Sequence, residues 1–85
     1  MSLSVVKFLT RPGCHLCDVA RPLVEREVAR RSLDLEEIDI DQDDHLVAEY
    51  GLRIPVVLWG GQVLAEGEIG RRSLRRGLKR LGQEH

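Results

Sequence analysis

Eighty-five residues with an apolar share of 42% and a formal net charge of −1 fit one domain, taken as 1–85, and leave no room for a second catalytic domain. The sequence has no repeat or low-complexity tract, which disfavours disorder, and its two cysteines are too few and too close together to staple a secreted scaffold. No stretch approaches the roughly 20 apolar residues of a membrane span, and no basic start precedes an apolar run, so a cytoplasmic protein free of the membrane is expected.

Leu3 to Leu9 is apolar and β-branched and runs into Thr10-Arg11-Pro12-Gly13, which predicts a buried strand ending in a loop. From about Cys14 to Arg31, Leu16, Val19, Ala20, Leu23, Val24 and Val28 recur at three- and four-residue intervals, predicting a helix with these side chains on one face. Pro22 removes a helix hydrogen bond and crowds the Asp18 carbonyl, so a kink is expected there. Leu33 to Asp41 reads as a second strand with Ile38 and Ile40 on one face; Leu35, out of phase, predicts a bulge or a start near Glu36. Asp41 or Asp43 is placed to cap a short helix carrying Leu46, Val47 and Tyr50, which Gly51 ends.

Val56-Val57-Leu58-Trp59 and Gln62-Val63-Leu64-Ala65 flank Gly60-Gly61, a link suited to the positive φ angles of a tight hairpin. A last helix from about Arg71 to Leu81 sets Leu74, Leu78 and Leu81 on one face and basic residues on the others. The order is therefore βαβαββα. Its βαβ unit supplies two parallel strands by a right-handed crossover, and the hairpin adds an antiparallel pair. The expected fold class is α/β, a four-stranded mixed sheet flanked by three helices.

Charge is segregated along the chain. Asp34 to Glu49 holds acids and no Lys or Arg, whereas Arg71, Arg72, Arg75, Arg76, Lys79 and Arg80 crowd the last helix without an acid. That helix has no aromatic residues to stack on bases. Its charge reads as a solvated face, balanced in part by the acids of 34–49, and no nucleic-acid partner is expected.

Cys14-His15-Leu16-Cys17 carries the chemistry. A C-x-x-C pair suits redox or zinc chemistry, and its position between a first strand and the first turn of a helix points to redox. There Cys14 faces the unpaired amides and positive dipole end of the helix, which favour thiolate, and it is the candidate nucleophile. Cys17, one turn further on, is placed to attack a mixed disulfide on Cys14 and is the candidate resolving thiol. Two structural cysteines packed beside the helix are the bland alternative.

Arg11, three residues before Cys14, is a candidate partner for the thiolate or for a substrate carboxylate, with plain solvation as the alternative. His15 adds to the positive field only when protonated, and Asp18 reads as structural. A closed zinc site needs about four ligands, and beyond the cysteines the chain offers only His15, His45 and His85, so no metal is expected. Pro55 opens a strand, and periodicity does not decide its isomer.

The run Thr10 to Cys17, followed by Arg53-Ile54-Pro55 before a Gly-Gly hairpin, resembles the glutaredoxin-like family of small dithiol proteins with a C-H-L-C motif. The resemblance covers nearly the whole chain and implies a thioredoxin fold, with Pro22 as its kinking proline. It implies that Cys14 attacks, Cys17 resolves, and Pro55 is a cis-proline beside the active site. By the same resemblance the Ile54 backbone pairs with an extended substrate or glutathione. With the neighbours weighed above, Arg11, His15, Arg53, Ile54 and Pro55 are taken as the candidate substrate-binding set. One departure stands out. Ala65-Glu66-Gly67-Glu68-Ile69 replaces the usual Gly-Gly-Cys-Asp, and its carboxylates should repel glutathione unless Arg53 or Arg71 compensates.

The implied activity is thiol–disulfide oxidoreduction on protein or glutathione mixed disulfides by a monomer with no tightly bound cofactor. Glutathione or a reductase would donate the electrons. A non-catalytic partner-binding module is the alternative. An iron–sulfur carrier, with Cys14 of two chains and glutathione holding a cluster, is disfavoured by Cys17, Glu66 and Glu68.

Overall fold

The computed structural model describes residues 5–82, with the elements β1 (Val5–Thr10), α1 (His15–Arg30), β2 (Asp34–Asp39), a 3₁₀ turn (Ile40–Gln42), α2 (Asp44–Tyr50), β3 (Val56–Trp59), β4 (Gln62–Glu66) and α3 (Arg71–Gly82). The expected order βαβαββα is realised, with the 3₁₀ turn added before α2. Leu3, His85 and the Leu81 side chain lie outside the described residues. The sheet order is β2-β1-β3-β4, with β1 parallel to β2 and the other pairs antiparallel. Gly60 and Gly61 turn the hairpin at φ 59° and 78°, as two glycines without a Cβ can.

The sheet is buried on both faces, and strand alternation divides its side chains between two cores. Val6, Phe8, Val57 and Trp59 meet Ala20, Val24 and Val28 of α1 and Leu74 and Leu78 of α3 on one side. Leu9, Ile40 and Val56 form the other core under Leu46, Val47 and Tyr50. This explains Leu35, which keeps regular register opposite Val6 and packs on the first core while Ile38 packs on the second. The strand starts at Asp34, and no bulge occurs in it. The irregularity lies in β4 instead: Val57 pairs with Ala65 and Leu58 with Val63, so Leu64 is the extra residue and joins the first core.

α1 corrects a second expectation. Its buried face is Cys17, Ala20, Val24, Glu27 and Val28, whereas Leu16 and Val19 are 40% and 49% exposed. At about 100° per residue Val19 projects well away from that face, whereas Leu16 projects within about 20° of buried Glu27 and is exposed at its place in the first turn, within the cysteine motif. The helix runs through Pro22 as one element. It closes without glycine: Ser32 takes φ 55°, and the Leu33 N–H reaches the Val28 carbonyl at 3.0 Å. At the two ends of α2, Asp43 is the N-cap, accepting from the amides of His45 and Leu46, and Gly51 is the C-cap in ordinary helical conformation.

Candidate active site

Strand direction collects the site at one end of the sheet. Thr10 lies opposite Asp39 at the ends of the parallel pair, Leu9 opposite Val56 at the start of β3, and Val56 opposite Glu66 at the end of β4. The loop carrying Arg11 to Cys14 leaves β1 at this end. The Ile54-Pro55 bond, which is cis as expected, enters β3 there.

Cys14 is the N-cap of α1, with extended backbone at φ −88° and ψ 105°. Its Sγ accepts the Cys17 N–H at 3.1 Å, the role a Ser or Asp oxygen fills at other helix starts. Cys14 and Cys17 are joined in a disulfide with Cα atoms 5.2 Å apart. Their environments differ: Cys17 is fully buried, while Cys14 keeps part of its surface. A partner molecule can reach only Cys14 without local opening. His15 is exposed as the first residue of α1.

The cations assigned to substrate are already engaged. Arg11 donates to Asp41 Oδ1 from Nε at 3.1 Å and from Nη2 at 2.6 Å. Arg53 grips Glu66 with both ends of its fork, Nε to Oε1 at 3.2 Å and Nη2 to Oε2 at 2.8 Å, and lies 5.0 Å over the Tyr50 ring. The Glu66 carboxyl is held below its usual range, chiefly by that hydrogen bond, and Arg53 is correspondingly harder to deprotonate. Of the two compensating arginines expected for Glu66, Arg53 therefore takes the role. The Ile54 N–H donates to the Tyr50 carbonyl at 3.1 Å, so this amide is already used within the protein.

A polar cleft of about 210 Å³ opens beside the motif, between Pro12-Gly13 and the end of β2. Arg21 spans its wall: Nε and Nη2 bond Glu37 at 2.9 and 2.8 Å, and Nη1 bonds Asp18 at 2.9 Å. Thr10 Oγ1 donates to Glu37 at 3.1 Å. The Arg21 hydrogen bond, with help from Thr10, keeps the Glu37 carboxyl below its usual range despite the opposing effect of burial. Asp18 thus has the structural role expected of it, as a partner of Arg21.

Of the acids of 34–49, Asp41 meets Arg11 and Glu37 meets Arg21, and neither meets the basic last helix. This corrects the expected balance: Arg75 of α3 instead bonds Glu27 of α1, at 2.9 Å. Sequence reasoning missed Glu27 and Glu37, and read Asp41 only as a possible helix cap, a place that Asp43 takes. The signal for Glu27 was its place seven residues after Ala20 on the core face, with Arg31 one turn further on. Nothing in the order of residues pairs Arg11 with Asp41 or Arg21 with Glu37. Among the described residues no three His, Cys, Asp or Glu side chains converge on a possible metal position, and no helix is long and apolar enough to cross a membrane.

A Cys-x-x-Cys disulfide closing the start of the first helix, on a sheet of this order, places the chain among thioredoxin-fold proteins. The model of the Glutaredoxin-like domain (DUF836) matches residues 5–79, and the chain belongs to that family. It is 36% identical to an uncharacterized protein of Mycobacterium tuberculosis, over 94% of this chain and 88% of that one. It is also 41% identical over 44 residues to a glutaredoxin-like protein of Dictyostelium discoideum, a match spanning 47% of this chain and 41% of the relative. Among solved structures, a structural-genomics target from X. campestris superposes with a TM-score of 0.75 at 29% identity, covering 88% of this chain and 96% of that one. Thioredoxin 1 of Thermosipho africanus superposes with a TM-score of 0.69 over 94% of this chain and 96% of its own; at 14% identity, that likeness concerns the fold alone.

Proposed function

We propose that the protein is a dithiol oxidoreductase that reduces disulfides through Cys14 and Cys17. The observation that carries this reading is the asymmetry of the pair: an accessible sulfur at a helix start receiving a backbone N–H at 3.1 Å, and a buried sulfur one turn away. In the reduced protein the Cys14 thiolate attacks one sulfur of a substrate disulfide. A Cys14–substrate S–S bond forms, the substrate S–S bond breaks, and one substrate sulfur leaves as thiolate and takes a proton. Cys17, losing its proton, then attacks Cys14 Sγ, forms the Cys14–Cys17 disulfide and expels the second substrate thiol. Two electrons pass from the dithiol to the substrate.

The oxidised pair is the end state of that sequence. Its return to dithiol needs a thiol donor, glutathione or a reductase, in a reducing compartment such as the cytoplasm; no tightly held cofactor takes part. His15 borders the attacking sulfur, and exposed Leu16 and Val19 offer apolar contact to a polypeptide substrate. The Ile54 carbonyl next to Pro55 is the backbone group offered to an extended strand of that substrate.

The test is reduction of insulin disulfides with dithiothreitol as terminal donor. Cys14→Ser should abolish the acceleration, and pre-reduced Cys17→Ser, freed of dithiothreitol before the substrate disulfide is added, should accumulate a covalent adduct on Cys14 visible by intact mass. A wild-type rate no faster than dithiothreitol alone would overturn the reading in favour of a module that binds without turnover.

A further inference from the structure

Arg53 immediately precedes the cis Ile54-Pro55 bond, at the same end of the sheet as Cys14. It is fixed from three sides. The Gly67 N–H donates to the carbonyls of Arg53 and Pro55, at 3.1 and 2.8 Å, which ties the end of β4 to this segment. The Tyr50 ring backs the guanidinium. Glu66 occupies its fork with two parallel hydrogen bonds, the geometry in which arginine would recognise the carboxylate of a ligand. Side chains of both partners remain about two-fifths exposed, at 38% and 41%, so the pair stands at the surface where a second carboxylate would compete for the same donors.

We infer that Glu66 determines substrate class by acting as an internal competitor: it occupies the carboxylate-binding fork of Arg53 and so biases the Cys14 site against small anionic thiols and toward disulfides in polypeptides. This rests on the oxidoreductase reading above. Glutathione, with two carboxylates, must either displace Glu66 or bind beside it, and Glu68, two residues on, adds a further negative charge. A disulfide within a polypeptide needs no carboxylate partner and meets the apolar Leu16 and Val19 instead. Glu66 thus acts through Arg53 as a positioning residue and does not touch the reacting sulfurs.

The test compares a glutathione mixed disulfide with neutral hydroxyethyl disulfide, both under dithiothreitol, in wild type, Glu66→Ala and the double variant Glu66→Ala/Arg53→Met. Removing Glu66 should raise kcat/KM on the anionic substrate relative to the neutral one by about fivefold, through KM, the size of one exposed ion pair in binding. The double variant should lose that gain. Glu66→Gln, which keeps the shape and one acceptor, should give part of it. An unchanged ratio in Glu66→Ala, or a gain that survives Arg53→Met, would overturn the inference.

A parallel titration of the oxidised proteins with S-methylglutathione, followed by amide shifts, separates this inference from the activity. Tighter binding in Glu66→Ala that depends on Arg53 is expected. Equal affinity in all three proteins would overturn the inference. A wild type that reduces neither substrate would overturn the oxidoreductase reading instead, and the titration would still decide the competition between Glu66 and a ligand carboxylate.

Discussion

Replacing Glu27 probes the contact that holds α1 to α3. Its carboxylate is 2% exposed and receives Arg31 at 2.8 Å and Arg75 at 2.9 Å, with Arg30 at 3.9 Å. Burial alone would push this carboxyl up, but the hydrogen bonds from Arg31 and Arg75 and the charges of Arg75 and Arg30 outweigh it, and the group lies below its usual range. Hydrogen bonds to charged groups are worth about 1.5–3 kcal/mol each. Arg31 and Arg75 are 33% and 42% exposed and recover water when the carboxylate is lost, so the full cost of stranded buried charges does not arise. Glu27→Gln, which keeps volume and one acceptor, should therefore cost about 1–2 kcal/mol near neutrality, or roughly 5–15 °C in Tm for a domain of this size.

Because the folded-state pKa of Glu27 is depressed, its contribution is complete above the unfolded value of about 4.3 and disappears as pH falls through the lower folded value. Thermal melts of wild type and Glu27→Gln by circular dichroism should thus show a gap that is constant near neutrality and narrows below about pH 4. Glu37 and Glu66 titrate in both proteins and drop out of the difference. A gap independent of pH, or none at neutrality, would refute the assigned role.

In the reduced protein, iodoacetamide should modify Cys14 of a Cys17→Ser variant faster, and at lower pH, than Cys17 of a Cys14→Ser variant; equal rates would remove the basis for assigning attacker and resolver. Gly77→Ala should lower Tm although alanine favours helix, because a Cβ at Gly77 would sit 2.8 Å from the Leu64 carbonyl oxygen in the bulge of β4. A raised Tm would mean that α3 can move away from the strand. Arg72→Glu/Arg76→Glu, both exposed, should leave reduction of hydroxyethyl disulfide unchanged, and wild type should bind duplex DNA or RNA no tighter than micromolar; submicromolar binding with a steep salt slope would make α3 a nucleic-acid site. Arg75 is excluded from that pair because its reversal would also break the contact with Glu27.

The order of elements was legible because each has a local signature: the Gly60-Gly61 turn, the three- and four-residue apolar spacing, and Asp43 before a short helix. The cysteine motif was legible for the same reason, since both residues and the helix start lie within four positions. Features set by two distant segments were not legible. Leu35 looked irregular only because its strand sends a half-buried apolar side chain to each side of the sheet, Leu35 to one core and Ile38 to the other, and the real bulge at Leu64 arises from how β4 meets β3 and α3. Leu16 fits the buried face in angle but is exposed in the first turn, and Val19 turns away from the face; how far the sheet reaches along the helix is not written in its period. Arg11 illustrates the limit best: three residues from Cys14 it invites a catalytic role, and thirty residues away Asp41 claims its guanidinium.

That engagement bears on how a Cys14 thiolate would be stabilised. Arg11 and Arg53 each carry a carboxylate at hydrogen-bond distance, and Arg21 carries two, so each cation presents a reduced field to the sulfur. The backbone is not neutralised in this way. The Cys17 N–H points at Cys14 Sγ, and the aligned peptides of α1 place their positive end behind it, with the acidic Asp18 of the first turn bound to Arg21. On the oxidoreductase reading proposed above, activation of Cys14 would therefore fall to the helix start and not to these paired arginines. Substituting Arg11 with Met should then change the pH at which Cys14 alkylates by much less than substituting the cap geometry itself, for example with Pro at Cys17, which deletes the N–H. A Cys14 thiol that becomes markedly less acidic in Arg11→Met would return the principal role to the side chain.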